Sequence, residues 1–431
     1  MTPSQASGER DVFDNPEWVG EAGPVQDGPG KVPTAGHLRA RRDAMPWDVA
    51  RRLAHAAAVP GTVVTRTLHE ADGCVLATPL VSSVTVPPVD RAAMDGYAVR
   101  GHGPWRVVGH VEAQRADAGA LEDGQAVGIV TGAAVPAGAT SVLRSEDAVL
   151  TDSVLEGPAG EGRHIRRAGE ECRPGEQLLP AGVVVGPAVL GLAATVGLNR
   201  LTVIPPPTVA ALVTGDELVH RGPSAPGRVR DAIGPMLPGL VRRAGASARA
   251  VRQLPDSRSE LMDALRSETK AELVLVSGSS ASGPADHLRP ALTALGAELI
   301  VDGVACRPGH PQALAQLPDG RLVLGLPGNP FAALVAFLTL GVPVLLRMRG
   351  LPLGDLPQIV VPGGVECHPH DTRLVPIRRT AHGAVPVGHG GAAMLRGPAA
   401  ADALAVVAPG PSEAIAARLL PLDPGAVPWG G

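Results

Sequence analysis

Asp216, Glu217 and Asp286 stand on loops that follow apolar, β-branched runs, and a third such run ends in a Gly-Asn-Pro turn. The segments are TVAALVTGDEL (208–218), LVLVSGSSASGPAD (273–286) and LVLGLPGNP (322–330). Carboxylates beside Gly- and Ser-rich loops suit an anionic, metal-linked ligand: the acids take the cation and backbone N–H groups take the anion. Each run stops abruptly at Gly and polar residues. A buried parallel strand hands its chain to a loop in this way at the carboxyl edge of an α/β sheet, where such folds bind ligands.

Every motif also has a structural reading. The adjacent acids of VTGDEL (213–218) repel unless a cation or protons offset them, yet one of the pair as a helix N-cap reads the same. SGSSASGPAD (277–286) precedes the helical run HLRPALTAL, and a Ser-rich cap has the same composition as a phosphate cradle. CRPGHP (306–311) is a rigid turn with Arg307 and His310 as possible donors to phosphate or oxyanion. VPPVDRAAMDGYAVRG (86–101) holds the only tyrosine, Tyr97, but Gly96 at positive φ with Asp95 capping the turn would explain it as structure. In VTGAAVPAGATSVLRSED (130–147), Thr131 can bond a ligand or its own backbone.

The elements that must position these residues differ along the chain. A length of 431 residues implies two to four domains. Residues 1–44 are rich in Gly, Pro, Ser and charge with no apolar period, and are read as a disordered extension. Helical spacing begins within Met45–Ala58, and 60–160 carries short strands broken by Gly and Pro. Residues 163–204 hold Gly-Pro breaks and a small-residue helix. From 207 to 350 strands and helices alternate, which predicts a doubly wound parallel sheet with right-handed crossovers. Residues 351–431 return to short strands, a small β domain.

Composition limits the function classes. At 45% hydrophobic but 2% aromatic residues, the cores must be Val, Leu and Ala. A net charge of −4 argues against a broad nucleic-acid surface. Cys74, Cys172, Cys306 and Cys367 form no CxxC pair, so neither a zinc knuckle nor a disulfide framework follows and a reducing cytoplasm is expected. No uninterrupted apolar run reaches about 18 residues, and the acidic, polar N-terminus is unlike a signal peptide. A soluble protein with no membrane partner is expected.

Taken in order, the motifs resemble the molybdopterin molybdenumtransferase family (bacterial MoeA and the corresponding domain of gephyrin). They are MDGYA (94–98), TGAAVPAGA (131–139), TGDEL (214–218), SGSSASGPAD, RPGHP (307–311) and LPGNP (326–330), with the connecting region 166–197. The resemblance covers roughly residues 45–431. It implies an α/β plus β fold: a MoaB/Mog-like doubly wound sheet domain (206–350), an elongated linker domain (45–88 and 163–205), a β-rich inserted domain (89–162) and a small β-barrel-like C-terminal domain (351–431).

The implied activity is molybdenum cofactor biosynthesis: a transferase, usually a homodimer, takes adenylylated molybdopterin and molybdate, cleaves the adenylyl phosphoanhydride with Mg2+ or another divalent cation, and releases AMP. The active site would lie in a cleft between one subunit's sheet domain and the other's β regions. Carried over position by position, the catalytic groups are Asp95, Thr131, Glu217, Asp231 and Asp286, with Glu217, Asp231 and Asp286 on the metal. Substrate contacts fall on Thr214, Gly215, Asp216, Ser277, Gly278, Gly283, Arg307, His310, Pro327, Gly328 and Asn329.

Some motif positions depart from the family pattern. Asp-Ser-Asn becomes Asp231-Ala232-Ile233, the second Gly and the Ser of the Gly-Gly-x-Ser loop become Ser279 and Ala281, and both lysines of KPGKP become Arg307 and His310. Ala93, Thr140 and Ala332 replace Ser, Asp and Ser. If His310 holds a phosphate, binding should weaken as pH rises through about 6.5. Two readings follow: a working enzyme with altered donors, or a paralogue that binds pterin or serves as a scaffold without catalysis. A nucleotide pyrophosphatase on the same sheet domain, as in the competence-damage-inducible family, is less in keeping with the chain, because that family lacks the MDGYA and TGAxxPxGA modules.

Overall fold

The computed structural model describes residues 44–111, 119–278, 286–388 and 391–423. Nearly all of the predicted N-terminal extension lies outside them. The first helix, α1 (Trp47–Ala57), buries Trp47, Ala50, Arg51 and Ala54. Those positions share one face at helical spacing.

A linker region and an inserted β module follow. The insert's strands are β1 (Gly96–Val99), β2 (Trp105–Val111), β3 (Gln125–Ile129), β4 (Ser141–Arg144), β5 (Val149–Thr151) and β6 (Val154–Glu156), in the order β5-β6-β2-β3-β1-β4. Asp90 clasps the two chain crossings into this module. Its Oδ1 accepts the Ala168 N–H at 2.8 Å and its Oδ2 accepts Arg167 at 2.7 Å. In the linker, α2 (Pro187–Thr195) opens on a proline at its first position, where no N–H is needed.

The α/β unit runs from β7 (Thr208–Thr214) through the short strands β8 (Leu218–Val219) and β9 (Val229–Arg230), then α3 (Leu237–Arg243), β10 (Ser247–Leu254), α4 (Arg258–Ser267), β11 (Leu273–Ser277) and α5 (Leu288–Ala294). It continues with β12 (Glu298–Asp302), β13 (Val304–Arg307), β14 (Ala313–Gln316), β15 (Leu322–Leu326) and the long helix α6 (Pro330–Met348). The sheet order is β10-β7-β11-β15-β14-β12. The first four strands are parallel, as the alternation predicts. β14 and β12 extend the sheet antiparallel, an addition the strand–helix alternation does not show. Antiparallel edges are common on otherwise parallel sheets.

Between those two edge strands, β13 leaves the sheet. It pairs in parallel with Met45–Pro46 on one side and with the C-terminal strand β17 (Thr372–Thr380) on the other. The C-terminal sheet adds β16 (Gln358–Glu366), β18 (Gly383–Pro386), β19 (Ala403–Val407) and β20 (Glu413–Pro421). One core joins α1, the α6 side of the α/β sheet, and Leu374, Leu404, Val406 and Leu420 of the C-terminal sheet.

Helix α6 follows the last strand of the sheet, within the strand–helix alternation that the sequence predicts. It is 19 residues long with mean hydropathy 2.1, apolar and long enough by composition to span a membrane, but 89% of that stretch is buried inside the protein. Gly341 and Pro343 interrupt the apolar run without ending the helix. The turn Phe337–Gly341 widens to π geometry, and the Val342 N–H reaches back to the Phe337 carbonyl. The next bond in that pattern would come from Pro343, which has no N–H, so the Leu338 carbonyl is orphaned inside the core. Arg51 of α1 donates to it at 3.0 Å, and Trp47 Nε1 donates to the Thr339 hydroxyl at 3.0 Å. Burial pulls the Arg51 pKa down to about 10, so the guanidinium stays charged at neutral pH. Arg51 and Arg418 lie against the Trp47 ring at 4.8 and 5.3 Å, and Arg418 pairs with Asp48.

Arg51→Met keeps the apolar stem and removes the donor. The buried Leu338 carbonyl is then left unsatisfied, at a cost of roughly 1–3 kcal/mol. Calorimetric or denaturant unfolding should show a loss of that order, and an unchanged midpoint would contradict the assignment.

Candidate active site

The residues that end β7, β11 and β15 and those immediately after them meet at the carboxyl edge of the sheet. The Thr214 hydroxyl donates to the Ser277 carbonyl at 3.2 Å, tying the ends of β7 and β11 together. Both residues are buried. Gly278 follows at φ +98°, and a Cβ there would run into the Thr214 carbonyl and lie 2.5 Å from its hydroxyl oxygen. Gly328 lies on the other side, so that a Cβ on it would stand 3.9 Å from the Gly278 Cα. Between Gly278 and Gly328 no side chain intervenes, while the Thr214 carbonyl and hydroxyl fill the other side of Gly278, so the main chain is open to a phosphate-sized group on the Gly328 side. Gly215, at φ +147°, turns the β7 loop outward.

Around this floor the acids find different partners. Asp216 and Asp256 exchange hydrogen bonds, each carboxylate accepting the other's backbone N–H at 3.3 Å, and Arg228 donates to the Asp216 carbonyl. Glu217 is exposed. Asp231 is buried: its Oδ1 accepts the N–H groups of Ile233 and Gly234 at 3.0 and 2.9 Å, and its Oδ2 lies 3.4 Å from His220 Nδ1. Asp286 accepts the Leu288 N–H at 3.1 Å and Arg289 at 2.8 Å, fixing the start of α5. Arg289 also reaches Asp302.

Of the expected metal set, Asp231 and Asp286 are turned to other donors, while Glu217 stands exposed. Among the described residues no group of three or more His, Cys, Asp or Glu side chains is arranged to hold a metal ion. The oxygens of Asp231 and Asp286 already accept backbone, imidazole or guanidinium protons. As placed, Glu217, Asp231 and Asp286 do not fit a resident divalent cation.

Pro327 is buried, and the Asn329 carbonyl accepts the Ala333 N–H at 2.9 Å as α6 begins. The RPGHP turn packs beside α6, where a Cβ on Gly309 would lie 3.2 Å from Val335 and 3.4 Å from the Ala332 carbonyl oxygen. His310 directs Nδ1 at the Val304 carbonyl, 3.0 Å away. Arg307 Nε donates to Asp371 of the C-terminal sheet at 2.7 Å. Cys306 is fully buried; burial, with Asp371 adding to it, pushes its thiol well above the usual range, so it stays protonated and donates to the Pro308 carbonyl. Gly283 lies outside the described residues.

Asp95 and Thr131 come together on the insert. Asp95 Oδ1 accepts both the Thr131 N–H at 2.6 Å and its hydroxyl at 2.8 Å. These bonds, the backbone one foremost, hold the exposed Asp95 carboxyl below its ordinary pKa. Sequence reasoning did not single out Asp256, His220, Arg289 or Asp371. Asp256 carried a signal, since it follows strand ARAVRQL just as Asp216 follows TVAALVT. The others depend on contacts distant along the chain.

Residues 45–197 match the family described as the MoeA N-terminal region (domain I and II), and residues 210–347 match the probable molybdopterin binding domain. A molybdopterin molybdenumtransferase 2 of Mycobacterium tuberculosis is 36% identical over 310 residues, 67% of this chain and 76% of that protein. The chain belongs to the molybdopterin molybdenumtransferase family. A second member, the molybdopterin molybdenumtransferase of a Nostoc species, is 33% identical over 68% of this chain and 71% of its own length. The crystal structure of a molybdopterin biosynthesis MoeA protein from Pyrococcus horikosii superposes with a TM-score of 0.70 at 25% identity, covering 88% of this chain and 99% of that one. The α/β plus β architecture of this molybdenumtransferase-family chain is thus shared along nearly the whole of that relative.

Two outcomes follow from the geometry. Gly278→Ala must both hold a positive φ and push against Thr214, so it should displace the β11 loop and cost on the order of 1–3 kcal/mol; urea unfolding measures this. The Asp95 carboxyl, followed by NMR, should titrate below the ordinary value of about 3.9. With the folded pKa depressed, the clasp's contribution is fully present above the unfolded value and is lost as pH falls through the folded one. Thr131→Val should move the midpoint back up.

Proposed function

We propose that this chain inserts molybdenum into molybdopterin, taking the adenylylated pterin and molybdate as substrates and releasing AMP. The observation that carries this reading is the approach of Gly278 to Gly328, with no side chain between them, at the carboxyl edge of the parallel strands. A phosphoanhydride needs close N–H donors and little steric bulk, and such an edge supplies both. The substrate named for the relatives, and membership of their family, support the choice of ligand.

In this reading each residue has a bounded role. Main-chain groups around Thr214, Gly215, Ser277, Gly278, Gly328 and Asn329 seat the phosphates. Arg307 binds the phosphate oxygens of the substrate through charge-assisted hydrogen bonds. Glu217, exposed and with no other side-chain partner among the described residues, orients the attacking water by accepting its proton in a hydrogen bond. Asp231 and Asp286 hold their loops, Asp286 through α5 and Arg289, and so position groups rather than attack. The residues present do not supply a resident magnesium site, and hydrolysis is assigned here to donors that the chain itself carries.

The reading includes a homodimer in which Asp95 and Thr131 of one subunit's insert face the other's sheet-domain cleft. It also places the reaction in the cytoplasm, where the four free cysteines would stay reduced. No nucleic acid or membrane takes part.

Purified protein with adenylylated molybdopterin and molybdate should release AMP, and Asp286→Ala should abolish release. A folded wild type that binds molybdopterin without releasing AMP would leave a pterin-binding protein instead. Subunit mixing tests the shared cleft. Asp95→Ala and Asp286→Ala are each inactive alone, but randomly mixed dimers with one intact site should recover about a quarter of wild-type activity. No recovery, or a solution mass equal to the 43.8 kDa chain, would refute the shared cleft.

A further inference from the structure

The Arg307–Asp371 pair joins two regions 64 residues apart in sequence. Arg307 ends β13, the strand that leaves the α/β sheet, and Asp371 immediately precedes β17 in the C-terminal sheet. Parallel pairing of Cys306 with Thr372 and of Arg307 with Arg373 fixes their register. Asp371 is itself well held: its side chain is 14% exposed, and its backbone N–H donates to His368 Nδ1 at 2.9 Å.

The way Asp371 binds the guanidinium is informative. A carboxylate that only neutralised a surface arginine would commonly take two parallel bonds from the fork. Here one oxygen, which also lies 3.3 Å from His368 Nδ1, takes only Nε of the guanidinium, at 2.7 Å, and among the described residues the two terminal nitrogens have no partner. Arg307 is 43% exposed in its side chain, so those nitrogens reach solvent. Gripping a guanidinium by Nε fixes its plane and leaves the two-pronged end, whose geometry matches a phosphate edge.

A second contact brings the same C-terminal region to the site. The Ala332 N–H, in the first turn of α6 after the LPGNP turn, donates to the Ala392 carbonyl at 3.0 Å. Gly309, two residues from Arg307, packs against that turn of α6. The C-terminal region thus touches the RPGHP turn and the first turn of α6, which follows the LPGNP turn.

We propose that Asp371 is a positioning residue for the anion site: it acts through Arg307, aiming the terminal nitrogens of the guanidinium at a phosphate oxygen pair of the ligand. This rests on the functional reading above for the identity of the substrate but not for the existence of the anion site. The C-terminal sheet, on this view, sets ligand affinity at a site whose floor belongs to the α/β domain.

Calorimetric binding of inorganic pyrophosphate to the full chain tests it, for wild type, Arg307→Ala, Asp371→Ala, Asp371→Asn and the Arg307→Ala/Asp371→Ala double variant. Losing an aimed charge-assisted contact should weaken binding roughly tenfold in Asp371→Ala. Asp371→Asn, which keeps an acceptor for Nε, should lose less. The double variant should be no worse than Arg307→Ala, because Asp371 has nothing left to position. In AMP-release assays Asp371→Ala should raise KM with kcat nearly held, a split that general destabilisation would not produce. Additive losses, a change within twofold, tighter binding in Asp371→Ala, or no pyrophosphate binding by wild type would each overturn the proposal. Coupled binding losses in a chain that releases no AMP would sink the transferase reading and leave the positioning role standing. AMP release without coupling would do the reverse.

Discussion

A proline inside a buried helix sets the terms for much of this protein. Pro343 cannot donate to the Leu338 carbonyl, and a carbonyl left bare in an apolar core would destabilise it by an amount comparable to a sizeable share of a domain's net stability. The partner comes from outside the α/β domain, as Arg51 of α1. Trp47 and Arg51, one turn apart on α1, with Arg418 from β20 also against the indole, then lock the N-terminal helix, the α/β core and the C-terminal sheet into one hydrophobic body. The orphaned carbonyl selects which helix can sit there. An apolar helix lacking a long donor would fill the space and leave the defect.

The candidate site has the opposite logic. There the chain removes side chains, and the close approach of Gly278 to Thr214 holds two strand ends together with main chain facing the opening. The carboxylates near it serve as loop anchors, with Asp231 closing a turn and Asp286 starting α5. In the proposed reading, charge for an anion comes from Arg307, on a turn held jointly by the α/β unit and the C-terminal sheet. A site assembled this way depends on sheet register, because a shift of β13 against β17 would carry Arg307 off Asp371.

Much of this was legible in the sequence. The abrupt ends of TVAALVT, LVLVS and LVLGL marked the carboxyl edge because continuous β-branched runs suit strands buried on both faces. The glycines of those loops were readable because few residues tolerate such turns. Two things were hidden. β12, β13 and β14 are short, and the departure of β13 to another sheet is a tertiary event with no local signature. The partners of the acids were hidden too: Asp231 and Asp286 look like cation ligands in a string of letters, while the N–H groups and the guanidinium that occupy them are apparent only in space. Pro343 lies in a run that reads as helical, and what stayed hidden there is the π turn and the donor borrowed from Arg51.

The bond from Trp47 to Thr339 spans 292 residues, and this has a consequence for synthesis. At about 5–20 residues per second, α1 emerges from the ribosome roughly 15–60 seconds before the segment that will cover it. The linker and insert regions, whose clusters draw on residues 64 to 203 and 92 to 165, can bury their own apolar surfaces during that interval. Helix α1 cannot. Its Trp47 face stays uncovered until residues 330–348 have been made, so the newborn chain carries a sticky amphipathic helix for as long as the residues between α1 and α6 take to synthesise. Occupation of that face by a chaperone, or its idling in solvent, then becomes a determinant of yield that the finished fold conceals.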